Sequence, residues 1–76
     1  MVPIEVIRQY KNNSIIVQSD KTPKENGRAF VDKKEVIGRI KEIFGPKDNP
    51  YILIELENNI SSIEELTSKG RIYLED

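Results

Sequence analysis

Without a cysteine or a histidine among its 76 residues, this chain lacks the usual tools of most enzyme classes. Thiolate nucleophiles, imidazole general bases and Cys/His zinc sites are excluded together. The acids that remain are chiefly Asp20, Asp32, Glu42, Glu55 and Glu57. Their spacing matches neither an acid–base pair nor a ligand cluster, and solvated surface charge accounts for them. No glycine-rich phosphate loop is present, and Gly45-Pro46 reads as a turn rather than a nucleotide fingerprint. The expectation is a protein with no catalytic residue, no metal, no cofactor and no small-molecule substrate.

Two other kinds of chemistry survive this elimination. The first is adhesive: apolar runs flank a turn set by Gly45, Pro46 and Pro50. Gly45 can take a positive φ without steric cost, Pro46 fixes the next φ, and Pro50 removes a ladder donor where a strand begins. Around that turn Ile43, Phe44, Gly45, Pro46, Pro50, Tyr51 and Leu53 form a candidate partner surface, in which Tyr51 and Ile43 supply apolar area. A competing reading places Phe44, like Phe30, in the core, with Pro50 merely starting a strand. The second kind is electrostatic. Twelve bases balance thirteen acids over the chain, which leaves no global field for phosphate. Residues 21 to 34 nevertheless hold Lys21, Lys24, Arg28, Lys33 and Lys34 against Glu25 and Asp32, a local excess of three (five minus two). These five are the candidate RNA-proximal residues, and an ordinary solvated face is the plainer reading.

The elements that must position these groups are short. Ile4 to Tyr10 and Ser14 to Ser19 are β-branched runs around Lys11-Asn12-Asn13, which predicts a hairpin with Ile4 and Val6, then Ile15 and Val17, on one face. Residues 20 to 27 are almost devoid of apolar side chains and predict an exposed loop, with Ala29-Phe30-Val31 a strand after it. Residues 32 to 45 are ambiguous. Val36, Ile37, Ile40, Ile43 and Phe44 fall at helical spacing and pattern alone favours a helix, yet Gly38 and the β-branched residues around it count against one, and a strand bulged at Gly38 also fits. Tyr51-Ile52-Leu53-Ile54-Glu55-Leu56 predicts a strand with Ile52, Ile54 and Leu56 inward, which turns Tyr51 and Leu53 outward. Ser61 to Gly70 carries the caps of one short helical turn, and Arg71-Ile72-Tyr73-Leu74 is a last strand. Six strands and a helical turn in one domain, residues 1 to 76, predict an all-β barrel. No stretch nears the roughly 20 apolar residues of a membrane span, and an intracellular soluble protein is expected.

Val36-Ile37-Gly38-Arg39-Ile40-Lys41-Glu42-Ile43-Phe44-Gly45-Pro46, followed by Pro50-Tyr51, resembles the signature of the small β-barrel subunit of H/ACA ribonucleoproteins, the glycine-arginine-rich nucleolar protein family. Val31-Asp32 and Gly70-Arg71-Ile72-Tyr73-Leu74 also resemble its pattern, so the match spans most of residues 28 to 74. The resemblance implies a six-stranded barrel of the translation-factor type and makes the segment from 35 to 44 a strand. It implies a non-catalytic subunit that docks on the catalytic domain of a dyskerin-type pseudouridine synthase and aids loading and release of substrate RNA in rRNA pseudouridylation. Contact with the H/ACA guide RNA complex would be mostly indirect. The glycine-arginine-rich tails of eukaryotic members are not in these residues, which implies the short archaeal form, cytoplasmic, with a nucleolar address for a eukaryotic one. The first 27 residues match only in pattern. The rival expectation is a free-standing RNA-binding barrel that uses the basic loop from 21 to 34. A translation-factor-like barrel with some other protein partner shares the fold.

Overall fold

The computed structural model describes residues 1–4, 6–11, 13–57, 66, 68 and 70–76. Seven strands lie among them: β1 (Val2–Pro3), β2 (Val6–Lys11), β3 (Ser14–Gln18), β4 (Arg28–Val31), β5 (Glu35–Phe44), β6 (Tyr51–Leu56) and β7 (Ile72–Leu74). All pair antiparallel in one curled sheet of order β1-β7-β4-β5-β6-β3-β2. The all-β architecture expected from the sequence is therefore present, the curled sheet forming a half-barrel. One strand more appears than the six expected, for a simple reason. The outermost strands, β1 and β2, are neighbours in the chain, with only residues 4 and 5 between them. Pro3 and Val6 are three Cα–Cα steps apart, at most about 11 Å, so one N-terminal segment serves both margins of the sheet.

The long strand β5 explains why residues 35 to 44 imitate a helix. A bulge leaves Ile37 without a partner in the ladder to β4, where Ala29 faces Gly38 and Phe30 faces Val36. A second leaves Lys41 unmatched against β6, where Ile40 faces Ile54 and Glu42 faces Leu53. Each bulge adds one residue to the two-residue repeat of a strand, so the side chains that reach the core are three apart: Ile37, Ile40 and Ile43. Spacing by three is what a helix shows. The sequence places one bulge at Gly38; the structure puts it at the adjacent Ile37 and adds the one at Lys41. The bulged backbone is satisfied, since Glu57 N–H donates to the Ile37 carbonyl and Ile40 N–H to the Gly27 carbonyl, both at 2.8 Å. Gly38 has no alternative residue, because a Cβ there would strike the Glu55 carbonyl oxygen.

Ile15, Val17, Ile37, Ile40, Ile52, Ile54, Leu66 and Leu74 are among the most deeply buried side chains and fill the curl of the sheet. The inward alternation of Ile52, Ile54 and Leu56 is as expected. In the first hairpin the register sets Val6 opposite Gln18 and Ile7 opposite Val17, and the predicted facing of Val6 lies outside the described side chains. The predicted exposed loop from 20 to 27 is only partly so, for Pro23 and Gly27 are buried. The predicted helical turn from 61 to 70 falls mostly outside the described residues; Leu66 and Ser68 are helical, and Leu66 is fully buried.

Candidate protein- and RNA-facing surface

The outer face of β5, β6, β3 and β2 is organised in cross-strand rungs. Residues directly opposite across antiparallel strands share a face, so the pairings read straight across the sheet. One rung runs Phe44, Tyr51, Gln18; the next runs Glu42, Leu53, Ile16, Arg8; a third runs Arg39, Glu55, Ser14, Lys11. The bulge at Lys41 decides what the first rung presents. Without that extra residue Phe44 would share the inward parity of Ile40; with it, Phe44 turns out and Ile43 turns in. Phe44 and Tyr51 are 40% and 39% exposed, and their rings stack with centroids 5.7 Å apart. Phe44 is therefore a surface residue, against the core reading, while Phe30 at 7% exposure is buried as expected. Ile16 and Leu53 are half-buried beside the aromatic pair. A groove of about 240 Å³ lies between Phe44, Tyr51, Ile16, Gln18 and Arg8.

This surface is fixed before anything binds. Gly45 adopts φ 89°, the left-handed value that its turn requires, and the site of its missing Cβ lies 2.8 Å from the Tyr51 ring. A larger residue would meet both obstacles. Asn49 N–H donates to the Pro46 carbonyl at 3.3 Å and closes the turn. The turn is in turn tied to β3: Ser19 N–H donates to the Pro50 carbonyl at 3.2 Å, and the Gln18 amide to the Asn49 carbonyl at 3.1 Å.

Of the residues singled out from sequence, Phe44, Tyr51 and Leu53 share this outer face, and Gly45 and Pro46 form its exposed rim. Ile43 packs against the core and Pro50 is buried, so these two support the surface from behind rather than supplying contact area. Ile16, Gln18 and Arg8 were missed. The inward assignment of Ile15 and Val17 already implied that Ile16 faces out, but the partners that make it part of a patch come only from the register.

The basic residues occupy the other flank. Lys21, Lys24, Arg28, Lys33 and Lys34 are all exposed. Arg28 lies over the Phe30 ring at 5.3 Å and Lys33 over the Tyr73 ring at 5.0 Å, with Phe30 and Tyr73 directly opposite across β4 and β7. Their charge is partly met within the chain. The Glu75 carboxylate accepts from Arg28 N–H at 2.9 Å and from its guanidinium at 3.3 Å, with the Lys24 ammonium at 3.7 Å. The Arg28 backbone N–H first, then its side chain, hold the Glu75 carboxyl below its usual 4.5. The Asp32 carboxylate accepts from Arg71 N–H at 3.2 Å and lies where a Cβ on Gly70 would sit, which joins the two outlying pieces of the sequence signature. Among the described residues no group of acids is arranged to hold a metal ion, and no helix is long and apolar enough to cross a membrane.

No curated protein matches the chain. A family model described as the Gar1/Naf1 RNA binding region matches residues 1–76, the whole length. That span takes in the bulged strand, the Gly45 turn, the Asp32–Gly70 contact and the first 27 residues, which sequence pattern alone left weakly assigned. The chain belongs to the Gar1/Naf1 RNA-binding family of H/ACA ribonucleoproteins.

Proposed function

We propose that this protein acts as a non-catalytic docking subunit of the H/ACA particle, seating the Phe44–Tyr51 face on the catalytic domain of the dyskerin-type pseudouridine synthase and so aiding the loading and release of substrate RNA. The single observation that carries this reading is the stacked, 39–40% exposed aromatic pair on a turn braced to β3. Large aromatic rings that are exposed and already immobilised lose little entropy on binding and are the usual anchors of protein interfaces. Half-buried Ile16 and Leu53 continue the apolar centre, and Arg8, Gln18 and Glu42 give it a polar rim.

The family is an RNA-binding one, and a second reading has its own observation. Arg28 stands over the ring of buried Phe30 and Lys33 over that of half-buried Tyr73, which sets two cations for phosphate beside one partly open ring, Tyr73. Against it, Glu75 partly offsets the charge of Arg28 and Lys24. One titration separates the two. Isotope-labelled protein mixed with the synthase catalytic domain is expected to shift resonances at 43 to 53, and F44A/Y51A to weaken binding by about 30-fold or more, the effect of losing about 2 kcal/mol at a hot spot. The same protein titrated with single-stranded RNA at low salt tests the second reading. Shifts confined to residues 21 to 34, with none at 43 to 53 when the synthase is added, would replace the first reading by the second.

A further inference from the structure

We propose that the rung Glu42–Leu53–Ile16–Arg8 polarises the docking face, so that it accepts a protein strip of one orientation only: apolar in the middle, a carboxylate at the end that meets Arg8 and a cation at the end that meets Glu42. The inference rests on the docking reading above and adds the chemistry its partner must present. The four residues are directly opposite one another on adjacent strands β5, β6, β3 and β2. Three strand spacings, about 14 Å along the sheet, separate their backbones, with Leu53 and Ile16 between them. Arg8 and Glu42 are both exposed, and among the described residues neither has an ion-pair partner.

The neighbouring rung makes the contrast. There Glu55 has Lys41 at 3.3 Å, so its charge is met within the chain. On the rung that crosses the apolar centre the two unpaired charges are of opposite sign, whereas on the neighbouring rung the exposed residues without an ion pair among the described residues, Arg39 and Lys11, are both cations. Arg8 also lines the groove beside Phe44 and Tyr51, which brings its charge to the aromatic end of the patch. Rim charges of this kind set association rate and register more than affinity, and a partner seated backwards would bring like charges together at both ends.

The test uses the full chain and the synthase catalytic domain, with association rates measured at low and at physiological salt for R8E, E42K, R8E/E42K and F44A/Y51A. Each single reversal is expected to slow association by about tenfold at low salt, with the difference shrinking as salt rises. The double reversal keeps the wild-type net charge and is expected to be slower than either single variant. Recovery of the wild-type rate by the double reversal would overturn the proposal, because net charge and not orientation would then matter. Wild-type rates in all three reversals, with binding still lost in F44A/Y51A, would overturn it while leaving the docking reading intact. Absence of wild-type binding to the synthase would remove the docking reading and this one with it. Should a reversal disturb folding, R8Q and E42Q are expected to give the same ranking with smaller losses.

Discussion

Gly38 and Phe44 show how differently single side chains matter in this fold. Gly38 lies where β5 approaches β6 so closely that any Cβ meets the Glu55 carbonyl, a backbone atom that cannot swing aside. G38A is expected to destabilise the protein by about 1–3 kcal/mol, read as a lower urea midpoint, because backbone must shift to admit one methyl group. Phe44, larger but 40% exposed, makes its main aromatic contact with Tyr51, so its removal is expected to cost less stability than its size suggests. The sequence signals the need for glycine at 45, since Phe44-Gly45-Pro46 announces a turn, and φ 89° agrees. It does not signal the need at 38, which depends on how near another strand comes.

At the scale of elements, the segment ending in Glu75 clamps the loop from 20 to 27. Lys24 N–H donates to the Glu75 carbonyl at 2.7 Å, Glu75 N–H to the Arg28 carbonyl at 3.0 Å, and the carboxylate takes the Arg28 N–H and guanidinium. Because these bonds lower the folded pKa of Glu75, its ionised form favours the native state. That contribution is complete above the ordinary carboxylate value and fades as the pH falls through the lower folded value. E75Q is therefore expected to reduce stability at neutral pH and to flatten its decline below about pH 4.5, as followed by thermal melting across the acid range. The clamp also shows where sequence reading stopped. The strands from 51 to 56 and 71 to 74 were legible from alternation, and the turn at 45 from its glycine and prolines. Glu75 carried no local signal, since its partners are 47 and 51 positions away (75 − 28 and 75 − 24). The basic loop consequently looks more strongly charged in the sequence than it is in the fold. Strand β5 erred the other way: pattern alone favoured a helix because two bulges convert a repeat of two into a repeat of three, while Gly38 and its β-branched neighbours left a bulged strand open and the resemblance over residues 36 to 51 pointed to it.

For the molecule as a whole, the decisive arrangement is the placing of β1 and β2 at opposite margins of the sheet although they adjoin in sequence. Val2 pairs with Leu74 and is 2% exposed, so it both fills the core and holds one margin. V2A is expected to cost about 1–3 kcal/mol, seen as a lower melting temperature, and to raise amide exchange in β7 more than in β6. Strand β6, paired on both sides by β3 and β5, has no such dependence. The same arrangement sets a timetable. Of the residues described, those translated earliest complete their pairing with those translated last, because β1 has no ladder until β7 exists. Nearly the whole chain must be closed into a loop to form that contact, which belongs to the slow class of folding topologies. Until then β4 has an unpaired side, and a nascent chain is open to strand exchange with another copy. Once β7 has docked, that route is shut.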